Sequence, residues 1–383
     1  MIEWFVGIAL GVLGFQILAQ LILLYGLKKI PTPTSSESST DLSLSVLVAV
    51  KNEENTIEDL LRSLEEQVYD KFEVILVDDG STDRSYEIME RWTKDHARFK
   101  LIQTQEIHRS HFIGKKAALM NAMEVATFDH WVFTDGDCVP SDDQWLGRFA
   151  SAFTQGAEVV IGTGYYRSSD DGLHLIYAAQ QVLTSMLYHS VVGLGKPYMC
   201  VGRSMAYTRQ AFDRSEGFAP YSNLATGSDD LLLQSFDSDT RIESVPAAFT
   251  WSDPPADLRT WVRQRSRHTG ASRYYPRSVL FALTLYDVTV LLSPLCLLLL
   301  PLVSPVLANG ILLLFVVRML VLFTNLHEIL KLGGRATSAS QVWLLEYPAS
   351  WMNALISVAT LWVKKKAWKG DPQAQTPSAT WRG

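Results

Sequence analysis

Phe72-Glu73-Val74-Ile75-Leu76-Val77 runs without a break into Asp78-Asp79-Gly80-Ser81-Thr82-Asp83. A short continuous apolar stretch rich in β-branched residues predicts a buried strand, and the acidic, glycine-containing segment after it predicts a turn. One unit earlier, Leu44 to Val50 has the same character and ends in Lys51-Asn52-Glu53-Glu54. Between the two, Ile57, Leu60, Leu61 and Leu64 recur at the spacing of one helical face, and a second helical pattern occupies about Arg84 to Thr93. Further on, His130-Trp131-Val132-Phe133-Thr134 leads into Asp135-Gly136-Asp137. Strand and helix alternating at this pace predict an α/β domain with a mostly parallel central sheet. In such sheets ligands bind beyond the carboxyl ends of the strands, where these acidic turns fall.

Asp135 and Asp137, one glycine apart at a strand end, suit a single hard cation shared with a diphosphate. Magnesium and manganese take few protein oxygens and keep phosphate oxygens in their shell. A lone Asp-x-Asp is a common acidic turn; the buried strand before it and the acidic turn one unit earlier give it weight. Other phosphate-binding designs fail. No Gly-x-Gly-x-x-Gly follows a strand, Gly114-Lys115-Lys116 lacks the earlier glycine and the hydroxyl of a P-loop, and Gly193-Leu194-Gly195-Lys196 lacks the context too. Phosphates are therefore expected to be neutralised by a metal and by basic side chains.

The hydrophobic fraction of 48% is unevenly spread over the 383 residues. Both ends are strongly apolar, and the block from about Asp41 to Pro276 is mixed like a soluble enzyme. Trp4 to Leu27 is long enough to cross a bilayer. A cleaved signal is disfavoured because Glu3 sits where a positive charge belongs, while Lys28 and Lys29 follow the run and would hold that end in the cytoplasm. Gly7, Gly11 and Gly14 are candidates for close helix packing, and Pro31 to Thr40 reads as a polar linker. Tyr286 to Ser304 and Val306 to Leu326 are further candidate spans, with Pro294, Pro301 and Pro305 expected to kink or end the first. A third run, Val342 to Val363, carries Glu346 and Pro348. If it crosses, Lys364–Lys366 land outside; if it is re-entrant or interfacial they stay inside, which the positive-inside tendency favours. Cys138, Cys200 and Cys296 have neither metal nor redox spacing and are expected to be unpaired buried thiols. A formal charge of −6 offers no surface for nucleic acid, and that class of partner is set aside.

Five segments stand in order: Val50-Lys51-Asn52-Glu53-Glu54, Val77-Asp78-Asp79-Gly80-Ser81-Thr82-Asp83, Gly114-Lys115-Lys116-Ala117-Ala118-Leu119 followed by Asn121, Thr134-Asp135-Gly136-Asp137, and Gly227-Ser228-Asp229-Asp230. In order and spacing they resemble the family 2 glycosyltransferases of GT-A fold, in particular the membrane-integrated branch related to polysaccharide synthases and lipid glycosyltransferases. The resemblance covers roughly Leu44 to Arg273 and the layout of flanking helices. It implies a GT-A nucleotide-sugar-binding domain flanked by N- and C-terminal transmembrane helices. It places Val50, Asn52 and Glu53 around the nucleobase, Asp79 at the base, Lys115 near the donor, Asp137 as direct metal ligand and Asp135 nearer the ribose and phosphate as well as the metal.

The fifth segment departs from the family's Glu-Asp pair. In the register of Gly227, Ser228 replaces the glutamate and Asp229 is the catalytic base; shifted by one, Asp229 replaces it and Asp230 is the base. Both stay open, and the other aspartate is read as a cap on the helix starting near Leu231. Gln264-Arg265-Ser266-Arg267-His268 resembles the Gln-x-x-Arg-Trp segment of processive synthases, with His268 for the tryptophan. By that resemblance Arg267 stabilises the leaving diphosphate, with Gln264 and His268 at the substrate. Arg259, Trp261, Arg263, Arg265 and Arg273 also suit an amphipathic helix at a membrane surface. His108 and His111 carry little weight as a metal site, and Trp368-Lys369-Gly370 reads equally well as an interfacial anchor.

The expected layout is an N-terminal transmembrane helix (1–30), a linker (31–43), a cytoplasmic GT-A domain (44–255), a basic interfacial helix (256–277), a membrane region of two to three helices (278–369) and a tail (370–383), in a bacterial cell membrane. The expected activity is metal-dependent (magnesium or manganese), inverting transfer of a hexosyl or N-acetylhexosaminyl group from a nucleotide-sugar donor. Resemblance favours uridine as the base, and nothing in the residues excludes guanosine. The expected acceptor is a lipid or lipid-linked saccharide. Competing readings are a processive polysaccharide synthase, a membrane nucleotidyltransferase, and a non-catalytic scaffold or sugar-binding protein.

Overall fold

A computed structural model of the chain describes residues 2–31, 41–104, 112, 114–167, 171–222, 224, 227–272, 274–333 and 338–362. The linker from position 32 to 40, His108, His111, Arg273, Lys364–Lys366 and Trp368-Lys369-Gly370 lie outside the described residues.

The first apolar run forms helix α1 (Ile2–Lys28), with Glu3 in its first turn and Lys28 in its last, each charge at the end the helix dipole favours. There follow β1 (Leu44–Val50), α2 (Ile57–Glu65), β2 (Phe72–Asp78), α3 (Ser85–Asp95), β3 (Phe99–Gln103), α4 (Lys115–Val125) and β4 (His130–Asp135), in the alternation the spacing predicts. Next come β5 (Cys138–Pro140), α5 (Trp145–Thr154), β6 (Val159–Tyr166), α6 (Gly172–Gly193), β7 (Met205–Thr208), α7 (Arg209–Arg214), the single turn α8 (Asp230–Leu233) and β8 (Ile242–Ser252). The strands form one eight-stranded sheet in the order β3-β2-β1-β4-β7-β6-β8-β5. β3, β2, β1 and β4 are mutually parallel, as are β6 and β8, whereas β7 and β5 pair antiparallel.

The continuous apolar character of β1 follows from burial on both faces. Val46, Val48 and Val50 pack with Leu60, Leu61 and Leu64 of α2 and Trp145 of α5, while Leu47 joins Ala118, Leu119 and Ala122 of α4 on the other side. Register then fixes which turns are neighbours. Val50 pairs with Asp78, and Ala49 with both Val77 and Asp135, so three turns leave the sheet side by side.

After β8 come α9 (Leu258–Ser272), α10 (Arg277–Leu292) continued as 3-10 helix over Ser293–Leu302, α11 (Pro305–Gly333) and α12 (Ala339–Trp362). Among the described residues, Ile2–Lys28, Arg277–Leu302 and Pro305–Gly333 are long and apolar enough to cross a membrane. The second of these starts at Arg277 rather than Tyr286, because Ser278 and Thr284 interrupt the apolar run without interrupting the helix. The prolines act as expected: the change to 3-10 geometry begins beside Pro294, and Pro305 opens α11, where its missing N–H is harmless.

α1 and α11 lie side by side in the same direction, with Leu13 and Ile311 in one apolar cluster and Leu27 and Leu330 in another. Both deliver their carboxyl ends to the α/β domain. A Cβ on Gly26 would lie 2.1 Å from Ser190 O, so the backbones of α1 and α6 touch there. Gly7, Gly11 and Gly14, the glycines picked out for close packing, have nothing within 4 Å of such a Cβ. A spacing of small residues does not reveal which face meets a neighbour. The three cysteines are unpaired and buried.

α12 meets α11 through the fully buried ion pair Arg318–Glu346. Two turns later, Asn353 accepts a hydrogen bond from Arg265 of α9 at 2.9 Å, and Ile356 packs with Trp261, Tyr166 and Tyr177 of the α/β domain. Trp261 stacks on Tyr177 with centroids 4.5 Å apart. Trp261 and Arg265, counted above on a surface face of α9, are therefore turned inward.

Candidate active site

One end of the candidate site is built from the turns after β1 and β2. Asp79 N–H donates to Val50 O at 2.8 Å, and Lys51 Nζ lies 3.6 Å from Asp79 Oδ2. Asn52 adopts φ 56°, a left-handed conformation that asparagine tolerates better than most residues. It is held there by Thr82 N–H on its Oδ1 at 2.8 Å, and its own N–H donates to Ser81 Oγ at 3.1 Å. Glu53 N–H donates to Ser85 Oγ at 2.7 Å. The Asn-Glu turn and the Asp-Gly-Ser-Thr-Asp turn are thus one bonded unit. Gly136 fits against it: a Cβ there would come within 3.1 Å of Glu53 Cγ and 3.4 Å of Val50 Cγ2.

The acidic centre follows β4. Asp135, Asp137 and Cys138 each place a candidate ligand atom within 4.8 Å of the other two, with both carboxylates half-buried and the thiol buried. Cys138 Sγ donates to Asp137 Oδ1 at 3.4 Å, and burial followed by the Asp137 and Asp135 charges pushes its pKa well above the ordinary thiol value. Cys138 is the soft donor of this group, and Asp135 and Asp137 supply its two hard oxygen donors. Such a pair fits a hard divalent cation that completes its shell from phosphate and water.

Lys115, the first residue of α4 after the positive-φ Gly114, forms an ion pair with Asp135. Burial opposes its charge, but the Asp135 carboxylate, and Asp229 beyond it, raise its pKa. Asn121 of the same segment is not in this group; its side-chain amide donates to Thr104 O at 3.3 Å, at the end of β3.

Asp229 and Asp230 differ sharply. Asp229 Oδ2 accepts from Gly202 N–H at 3.0 Å, and a Cβ on Gly202 would sit 3.3 Å from both that oxygen and Lys115 Nζ. Asp229 is therefore beside Lys115 at the acidic centre. Asp230 is buried, with Oδ2 accepting from Tyr275 Oη at 2.7 Å and Oδ1 from Leu231 N–H at 2.9 Å. Burial, then the Asp229 charge, raises its pKa far above the usual carboxylate range. Neither aspartate caps α8 in the expected way: Asp229 stands at the N-cap position without a side-chain capping bond.

Gln264 reaches the same region, its Oε1 accepting from Tyr166 Oη at 3.2 Å. Arg267 and His268 lie on α9, but their side chains are outside the described part of the structure. Two cations passed over in the sequence reading are also present. Lys116 Nζ donates to Tyr221 O at 2.9 Å and Leu224 O at 2.8 Å, tying down the segment before the aspartate pair, and burial lowers its pKa to about 8. Arg203 donates to Ser252 Oγ at 2.7 Å and lies near Cys138, Tyr166 and Asp137. The only signal for Arg203 was a cation directly after a glycine.

Residues 132–356 match the family described as Glycosyl transferase family group 2, and residues 45–215 match Glycosyl transferase family 2. The chain is 33% identical over 108 residues to a poly-beta-1,6-N-acetyl-D-glucosamine synthase of Staphylococcus epidermidis, which is 28% of this chain and 25% of that protein. It is 23% identical over 245 residues to the probable glycosyltransferase YdaM of Bacillus subtilis, which is 60% of this chain and 55% of that protein. The chain thus spans between a quarter and about half of the length of these relatives. Among solved structures, the mannosyltransferase PcManGT from Pyrobaculum calidifontis, in complex with GDP-Man and Mn2+, superposes with a TM-score of 0.56 at 19% identity. That match covers 94% of this chain and 100% of that one, and it shows a shared fold.

Proposed function

Since the chain belongs to glycosyl transferase family group 2 and has the GT-A fold, we propose that it transfers a sugar from a nucleotide-sugar donor to a lipid or lipid-linked acceptor at a membrane surface. The observation that carries this reading is the register of β1, β2 and β4, which gathers the Asn52-Glu53, Asp79 and Asp135–Asp137 turns at one edge, with Asp229 beside them.

Val50, Asn52, Glu53 and Asp79 frame the nucleobase, and Lys115 neutralises Asp135 next to the ribose and phosphates. Asp135 and Asp137 would hold a magnesium or manganese ion, which supplies positive charge to the departing diphosphate. Asp229 is the general base that takes the acceptor hydroxyl proton as that oxygen attacks the anomeric carbon, with inversion. Its half-buried position beside Lys115 supports it over Asp230, whose carboxyl is buried, hydrogen-bonded to Tyr275 and protonated by preference. Arg267, Gln264 and His268 on α9 serve the diphosphate side. The bound GDP-Man and Mn2+ of the mannosyltransferase support the class of donor and cation, and leave uridine and guanosine both open here.

A lipid acceptor is supported by the three apolar helices and by α12, which leads from α11 to α9 beside the cleft. The domain faces the cytoplasm, on the side of Lys28 and Lys29. The likeness to the staphylococcal poly-beta-1,6-N-acetyl-D-glucosamine synthase favours a second reading, processive polymer synthesis.

The test is nucleoside diphosphate release by detergent-purified protein with manganese, across a panel of sugar nucleotides and total lipid extract. Release that needs one donor and added lipid, with product extractable into organic solvent, is the expected result. Products that lengthen with time would move the assignment to the polymer. Pyrophosphate release in place of nucleoside diphosphate would overturn the transferase reading.

A further inference from the structure

We propose that Arg203 is a donor-site residue whose guanidinium holds the diphosphate of the nucleotide-sugar; the inference rests on the transferase reading above. Its backbone is fixed on both sides. Gly202 N–H is bonded to Asp229, and Ser204 Oγ both donates to Ala248 O at 2.6 Å and accepts from Trp145 Nε1 at 3.1 Å. The side chain is fixed as well. Nη1 donates to Ser252 Oγ at 2.7 Å, Nη2 lies 3.5 Å from Gly164 O, and the guanidinium sits 5.5 Å from the Tyr166 ring centroid.

Sheet register shows where this places the charge. Ser252 pairs with Cys138 of β5 on one side and Tyr166 of β6 on the other, so Arg203 is anchored beside the residue that follows Asp137. Gly164 makes the room: a Cβ there would lie 2.7 Å from Arg203 Nε. A guanidinium in this position would ordinarily pair with a neighbouring carboxylate. Among the described residues its hydrogen bonds go instead to a hydroxyl and a carbonyl, which take two of its five N–H donors. A cation built into the wall of an acidic cleft, with donors to spare, suits an incoming anion that accepts in a fork.

Charge balance points the same way. Asp135, Asp137 and Asp229 face Lys115 and Arg203, so the centre carries a net negative charge that draws a divalent cation. With that cation bound the centre turns net positive, as a diphosphate requires. Without Arg203 the cation-loaded centre would be neutral, and the extra charge that develops on the leaving diphosphate would have one partner fewer.

The experiment is calorimetric titration of UDP and of GDP, each with manganese, into detergent-purified wild type, Arg203→Gln and Arg203→Lys, with unfolding temperatures measured without ligand. Arg203→Gln is expected to weaken the diphosphate that wild type binds by about tenfold or more, with Arg203→Lys between and both unfolding temperatures near wild type. Unchanged affinity in Arg203→Gln overturns the inference. So does a fall in affinity matched by a lowered unfolding temperature, which would make Arg203 a tie between β6 and β8. Wild type that binds neither diphosphate overturns the transferase reading and this inference with it.

Discussion

The backbone N–H of Gly202 donates to Oδ2 of Asp229 at 3.0 Å, holding that carboxylate beside Lys115, while Asp230, next in the chain, is buried under the Tyr275 hydroxyl. Neighbouring carboxylates in environments this different have separable roles. Asp229→Asn is expected to lower turnover by about 10²–10⁴-fold, the usual contribution of a general base, with donor affinity little changed. Asp230→Asn is expected to keep most turnover. Its stability effect has a definite sign. A carboxyl whose pKa is raised by folding destabilises the fold progressively as pH rises from the ordinary carboxylate range through its raised value. Asparagine lacks this titration, so the unfolding temperature of Asp230→Asn should gain on wild type as pH rises. Loss of turnover in Asp230→Asn alone would exchange the two roles.

Asp137→Ala is expected to abolish tight manganese binding, read by electron paramagnetic resonance of the free ion. The loss should exceed about a hundredfold, since removing even a residue that only supports a ligand costs ~10–100-fold. Chelation of wild type should stop product release, and added manganese should restore it. Full affinity in Asp137→Ala would move the cation elsewhere.

Three of the eight strands, β1, β2 and β4, were legible because their signals are local. β1, β2 and β4 are continuous apolar runs ended by acidic turns, and parallel register does the rest by aligning Val50 with Asp78 and Ala49 with Asp135. The Asn52-Glu53, Asp79 and Asp135–Asp137 turns stand out for the same reason, since each ends or follows a strand directly, whereas Lys115 and Asp229 stand at the starts of helices. What stayed hidden depends on partners far away in the chain. Arg203 is placed by Ser252 and Gly164, which reach it only through the pairing of β6 and β8. The different surroundings of Asp229 and Asp230 come from Gly202 and Tyr275. Trp261 and Arg265 read as a surface face of α9 because nothing within that segment announces that α12 returns to cover it.

Gly26 should be the intolerant glycine of α1. A Cβ there meets Ser190 O at 2.1 Å, a backbone atom that cannot swing away. Gly26→Val is expected to cost about 1–3 kcal/mol or more, the range for an overpacked contact, seen as a lower unfolding temperature in detergent. Gly14→Ala, with open space around it, should be neutral or gain up to about 1 kcal/mol from helix propensity. Equal effects at both positions would mean that α1 does not rest on α6.

His189 should make the α/β domain acid-sensitive. It is fully buried in α6, with Nδ1 2.6 Å from Ser244 Oγ and Nε2 2.7 Å from Thr163 Oγ1, and burial lowers its pKa to about 3. The folded protein therefore refuses a proton that the unfolded chain accepts near pH 6.5. The stability contribution is complete above that pH and is lost as pH falls toward the folded value, by about 1.4 kcal/mol per unit. His189→Asn should be less stable than wild type at pH 7.5 yet lose less on acidification to pH 5. Parallel unfolding curves for the two proteins would show that His189 titrates normally.

α12 should not carry the chain across the membrane. Glu346 is fixed to Arg318 partway along α11, yet Asn353 and Ile356, further along the same helix, contact Arg265 and Trp261 of the domain on which α11 ends. A helix that leaves that domain and returns to it keeps its carboxyl end on the side where it began. A tag at Gly383 is therefore expected to resist membrane-impermeant labelling in intact cells and to react after permeabilisation, as a tag within the α/β domain would. The ion pair should be what holds the helix there. Glu346→Gln leaves the Arg318 charge buried without its partner, a loss of about 3–5 kcal/mol, whereas Arg318→Met combined with Glu346→Met should recover much of the stability. External labelling of Gly383 in otherwise intact cells would mean that α12 crosses, and that its contacts with α9 do not form in the membrane.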